Sequence, residues 1–154
     1  MNTPKVPRAI ESLLDLYQQP FVLVDRNYTI VAANKAYSER YQQTPDQVVG
    51  RKCHEVSHHS DQPCIEMGED CPHQRMFKSG QMEKAIHIHQ RPDGTKDCIE
   101  ICAYPIYGDD GEILYMGEQL RPIELHQALE DNTLIGDHPK FLETIQEAKL
   151  LASI

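Results

Sequence analysis

Apolar positions along this chain repeat with two different periods, and the points where one period gives way to the other mark out its elements. Over residues 9–17, Ile10, Leu13, Leu14 and Tyr17 fall at helical spacing, and Pro20 stops the run. The compact apolar stretch 21–24 reads as a strand. Asp25-Arg26-Asn27 supplies turn residues and 28–33 a second strand, so the pair predicts a hairpin. Asn34 is placed to cap a helix over 35–41, in which Ala36, Tyr37 and Tyr41 share a face. Thr44-Pro45-Asp46-Gln47 then has a Thr cap, Pro at the first helical position and Gln three residues after the cap; the short helix it starts ends at Gly50.

The period changes to two in the last third. Residues 82–90 alternate, with Ile86 and Ile88 on one face and His87 and His89 on the other. Pro92-Asp93-Gly94 turns the chain, 98–106 alternates again, Asp109-Asp110-Gly111 turns it once more, and 113–120 forms a final strand. Together with the opening hairpin this meander predicts an α+β domain, a five-stranded antiparallel sheet with short helices on one face and helices flanking it at either end. After Pro122 the pattern is helical through Ile123, Leu125, His126 and Leu129. A separate amphipathic run then carries Phe141, Ile145, Ala148, Leu151 and Ala152. That last run has nothing left in the chain to pack on, as expected of a piece of a longer protein.

Between the two halves lies a stretch with no sustained period, 50–72, reading GRKCHEVSHHSDQPCIEMGEDCP. Only 71–78 looks helical there, closed by Gly80. Cys53, Cys64 and Cys71 recur as C-x10-C-x6-C, with His54, His58 and His59 interleaved and His73 following. Thiolate and imidazole are the donors that zinc, iron–sulfur clusters and haem iron select. Three readings stay open: a metal or iron–sulfur site, a thiol–disulfide switch, or small thiols that pack like alanine. A closed site needs a fourth ligand, for which His58, His59, His54 and Cys102 are candidates. Zinc would be a staple without redox chemistry, whereas a cluster would carry a signal.

Composition narrows the classes. A formal net charge of −9 repels phosphate and argues against direct nucleic-acid binding. No apolar run reaches the ~20 residues that span a bilayer, and the N-terminus lacks the plan of a signal peptide, which predicts a cytoplasmic protein. An odd count of five cysteines argues against a disulfide framework. Cys98 and Cys102 share a strand face with Glu100, roughly 13 Å apart at the usual rise, too far for a mutual disulfide; as ordinary strand thiols they need no chemistry. His87 and His89 form either a ligand pair or a half-solvated outer face. No Ser/His/Asp arrangement, nucleophile elbow or phosphate loop is present, so no enzyme is predicted.

The order strand, strand, short helices and three-stranded meander resembles PAS domains. PFVLVDRNYTIVAANKAYSERY is similar to that family's opening hairpin and first helix, and EICAYPIYGDDGEILYMGEQLRPI to its last two strands. The family often leaves a cavity between sheet and helices, so Ile86, Ile88, Ile99 and Ile101 are candidates to line a ligand pocket. Haem-binding members draw an axial His from the region of His73, but a lone helical His is more often structural. The flavin motif, a Cys in an Asn-Cys-Arg-Phe run, is absent, which argues against flavin–thiol photochemistry. The cysteine stretch resembles a cysteine-rich subset of anaerobic bacterial PAS domains, with Cys53, Cys64 and Cys71 at the matching positions.

The tail LIGDHPKFLETIQEAKLLASI resembles the entry to the AAA+ ATPase of sigma-54-dependent activators. The implied division is an N-terminal helical cap over 1–20, a PAS domain over 21–122, a signalling helix over 123–133 and a truncated AAA+ entry over 134–154. The implied function is a homodimeric sensory module that reads redox state or a metal or iron–sulfur cofactor and signals to the downstream ATPase; because a sensor must change state, that context favours a cluster over zinc. The alternative is a dimerisation or small-ligand module whose cysteines are only structural.

Overall fold

The computed structural model describes residues 5–123; all but the first residue of the signalling helix expected over 123–133, and the AAA+ entry expected over 134–154, lie outside the described residues. In chain order the elements are α1 (Arg8–Leu14), β1 (Phe21–Val24), β2 (Ile30–Ala33), α2 (Lys35–Arg40), α3 (Pro45–Val48), α4 (Cys53–Ser57), α5 (Pro72–Ser79), β3 (Glu83–Gln90), β4 (Lys96–Tyr107) and β5 (Ile113–Pro122). The strands form one antiparallel sheet in the order β2-β1-β5-β4-β3. The hairpin β1–β2 thus joins the meander through β1 and β5.

Alternation along the strands sends residues to two different layers. Val22 and Val24 on β1, Ile99, Ile101 and Ala103 on β4, and Met116 and Leu120 on β5 meet Tyr37, Tyr41, Val48, Val56 and Met76 from the helices. Burying each of the larger side chains contributes on the order of 1.5–3 kcal/mol. Phe21 and Leu23 point the other way and pack with Leu14 of α1. Leu14 is therefore core, while its neighbour Leu13 is exposed.

One side chain joins these layers. Asn34 is the N-cap of α2, and its Oδ1 accepts from Tyr37 N at 2.9 Å and from Phe21 N at 2.9 Å. Its Nδ2 donates to the carbonyls of Leu14, Tyr17 and Gln19 at 3.2, 3.2 and 2.9 Å. A single amide thus ties α1, β1 and α2 together. The Thr44 cap arrangement also forms, with Thr44 N donating to Gln47 Oε1 at 2.8 Å. Gly80, φ 66°, ends α5 in the left-handed region that glycine adopts without cost.

Two expectations are corrected. Residues 53–57 form a helix, α4, that no apolar period announced. It is started by Cys53 N donating to Tyr28 O at 2.9 Å and by Lys52 N donating to Glu55 Oε2 at 3.2 Å. The faces of β3 are also the reverse of the hydrophobic-inward reading. Ile86 and Ile88 pair with Glu100 and Cys98, on the face away from the helices, so they cannot line one pocket with the inward-facing Ile99 and Ile101. His87 and His89 point inward instead and are 3% and 1% exposed.

Candidate functional site

Three local structures converge beneath the inner face of β3. The first is the end of α4, where His58 N and Ser60 N both donate to His54 O and the backbone turns through His59 at φ 51°. The second is a tight turn: Met67 N and Glu69 N both donate to Cys64 O, at 3.1 and 2.9 Å, with Gly68 at φ 81°. That turn returns residue 69 to the side of residue 64. The third is β3 itself, whose pairing with β4 puts His87 opposite Ile99.

The result is a gathering of four donors. One ligand atom each from His58, Cys64, Glu69 and His87 lie within 4.8 Å of one another. His58 Nε2 is 3.7 Å and His87 Nδ1 3.9 Å from Glu69 Oε2. Neither distance is a hydrogen bond, and both Glu69 Oε2 and His87 Nδ1 are buried without a hydrogen-bond partner. His87 Nε2 donates to the Asp70 carbonyl at 2.5 Å, which leaves Nδ1 facing the other three groups. Arg75 holds the Asp70 carboxylate and lies 3.4 Å from Glu83, so α5 clamps the end of the insert to β3.

His89 completes a cluster of rings. Its centroid lies 4.6 Å from that of His58, edge to face, and its Nδ1 is 3.0 Å from the Tyr41 hydroxyl. Burial pushes His89 well below the usual imidazole range. Burial, reinforced by His87, His54 and His59, holds His58 down at about 3. The neutral imidazoles that result present lone pairs rather than charge.

The other candidates are distributed as follows. The Cys71 thiol acts on Cys64, raising its proton affinity together with burial. Cys53 packs against the core and is raised by burial first, then by Glu118 and Cys71. The three thiols are thus neighbours, yet of these only Cys64 belongs to the four-donor group. Of the proposed fourth ligands, His58 does belong. His59 is exposed, and His54 meets the Tyr28 ring edge-on at 5.9 Å. Cys102 pairs with Lys84 and Gln119 on the face away from the helices, beside Glu100, and cannot reach the insert. His73 is buried on α5, donates from Nε2 to the Asp25 carbonyl at 2.8 Å and stacks on Tyr28, a structural role. Glu69 went unnoticed in the sequence, where no spacing rule separates it from the acids around it.

The PAS fold family matches residues 14–124. The chain belongs to it. Among solved structures, the PAS domain of a Colwellia psychrerythraea protein superposes with a TM-score of 0.60 at 18% identity, covering 75% of this chain and 95% of that one. The PAS domain of nitrogen regulation protein NR(II) from Vibrio parahaemolyticus gives 0.58 at 17%, covering 74% and 97%. Vibrio cholerae VqmA, described as a dimer, gives 0.59 at 20%, covering 86% of this chain and 55% of that one. At these identities the likeness is one of fold. The search of curated proteins returned no match. PAS domains are sensory, non-catalytic modules, and among the described residues no helix is long and apolar enough to cross a membrane.

Proposed function

We propose that this PAS domain is the sensory module of a cytoplasmic, sigma-54-dependent bacterial regulator. It reads redox state or metal through its 50–72 insert and passes the result along β5 to a downstream AAA+ ATPase. The observation that carries the reading is the convergence of Cys64 with His58, His87 and Glu69, and Cys71 and Cys53 beside it, under one end of the sheet. Any change in that group acts directly on β3 and, through β4, on β5, the last strand of the sheet in chain order. The signal must bind or modify the two states of the insert differently, since an input that treats both alike shifts nothing.

The test is hydrogen exchange on this chain, prepared anaerobically, then treated with a chelator or a mild thiol oxidant. Amide protection over β5 is expected to change with treatment, and to stay constant in the triple variant with Ser at 53, 64 and 71. Identical β5 protection before and after both treatments rules the sensing reading out.

A second reading is supported by the end of α1 and the turn after it, where Leu13 and Leu16 are 55% and 77% exposed. They form an apolar edge suited to a two-fold contact between copies. Leu16→Asp is expected to halve the mass seen by light scattering while leaving the fold intact; a wild-type protein that is monomeric throughout removes this reading.

A further inference from the structure

We infer that His58 Nε2, Cys64 Sγ, Glu69 and His87 Nδ1 form a closed, four-ligand site for a single divalent transition-metal ion of the zinc class. The inference deepens the sensing reading and rests on it only for its biological meaning. Two observations point independently to an ion. The donors lie within 4.8 Å of one another, and two of them, Glu69 Oε2 and His87 Nδ1, are buried with no hydrogen-bond partner. The side chain of His87 is 3% exposed, so bulk water does not satisfy its free nitrogen.

The spacing suits a metal better than it suits direct contact. A tetrahedral zinc shell, with metal–nitrogen and metal–oxygen distances near 2.0–2.1 Å and metal–sulfur near 2.3 Å, spaces its donors roughly 3.3–3.8 Å apart. Of the separations between the imidazole nitrogens and Glu69, 3.7 Å already lies in that range and 3.9 Å just outside it, while the widest pair of the group, within 4.8 Å, closes by about 1 Å when the ion binds. The support behind one ligand is already built: the Asp70 carbonyl accepts from His87 Nε2 and so fixes the ring and its tautomer.

The donor set selects the ion. Two imidazoles and a thiolate are poor ligands for calcium or magnesium, which take oxygen. One thiolate is too few for an iron–sulfur cluster, which takes Cys ligands almost throughout, and Cys53 and Cys71 stand outside the group. With all four positions filled by protein the ion has no open site for substrate, so it is a staple and not a catalytic centre. It joins the end of α4 and the 64–69 turn to β3, and Cys64 gives up its proton to solvent as it binds. Presence or absence of the ion is then the two-state element of the insert.

The test is titration of the metal-free 154-residue chain with Zn(II) against a chromophoric chelator, and with Co(II) followed by absorption. One equivalent is expected to bind. Cobalt is expected to give the visible bands of a tetrahedral site and a thiolate-to-metal charge-transfer band. Cys64→Ser and His87→Gln should each weaken binding at least about 100-fold, and Cys64→Ser should remove the charge-transfer band. Glu69→Gln keeps the shape of the side chain and guards against misfolding: it should lose affinity while the metal-free protein still melts in one cooperative transition. Cys53→Ser and Cys71→Ser should bind one equivalent as before. Absence of binding, or binding that survives Cys64→Ser and His87→Gln, overturns the site. So does binding lost on Cys53→Ser and Cys71→Ser but kept in His87→Gln. Any of these leaves the exchange experiment on β5 to judge sensing by itself, and β5 exchange that ignores a bound metal would remove sensing while the site stands.

Discussion

Asn34→Ala will destabilise the domain by about 3 kcal/mol, because it deletes one amide that serves two buried donors and three carbonyls. Asn34 is 1% exposed, so water cannot replace what is lost at Phe21 N and Tyr37 N, both 2.9 Å from its Oδ1. A buried donor left without a partner costs roughly 1–3 kcal/mol, more than the net gain from making an ordinary hydrogen bond. Asn34→Ser keeps a side-chain acceptor at the N-cap of α2 and should recover about 1 kcal/mol of the loss. Urea denaturation checks both, with the order wild type, Ser, Ala in midpoint. Hydrogen exchange should place the first opening at α1, since the carbonyls of Leu14, Tyr17 and Gln19 lose their shared donor. A midpoint for the alanine variant equal to that of wild type would show that α1 is held by Leu14 and Val6 packing alone.

Glu118 sets how stability depends on pH. It stands in the middle of the sheet, opposite Val22 and Ala103, on the inner face that holds Met116 and Leu120. Burial raises its carboxyl from 4.5 to about 7. Between those two values the folded chain keeps a proton that the unfolded chain releases. The stabilisation is therefore complete below about pH 4.5 and is lost as pH rises through about 7. The interval of about 2.5 pH units corresponds to about 3 kcal/mol. Glu118→Gln removes the titration while keeping shape, so the variant should gain about 3 kcal/mol on wild type between pH 4 and pH 8. Chemical denaturation of both proteins at those two pH values measures it, and the other carboxylates cancel in the difference. A gap between the two proteins that stays constant with pH would mean that Glu118 titrates in the fold as it does in the unfolded chain.

Much of the frame was legible because its determinants are local. The N-cap at Asn34, the Thr44-to-Gln47 arrangement, Gly80 at the end of α5 and the hairpin of β1 and β2 each depend on a few consecutive residues, and each forms as their chemistry requires. Helix α4 was not legible, since five residues carry too little period to read. Its start depends on Tyr28 O, a carbonyl 25 positions away in the chain. The face of β3 was misread for a related reason. Alternation states which residues share a side, but not which side turns inward. Ile86 and Ile88 gave the apolar choice; the histidines won the interior because Asp70 O and Tyr41 Oη meet them there.

By itself, the order of residues determined the succession of elements, their caps and the alternation of the strands, all of which are settled within a turn or two of chain. Only the tertiary structure decided that His58, Cys64, Glu69 and His87 share one locality and that Cys102 does not. Their meeting depends on the register of β3 against β4 and on the closure of the 64–69 turn. A slip of one residue along β3 would turn His87 out of the interior and put Ile86 or Ile88 in its place.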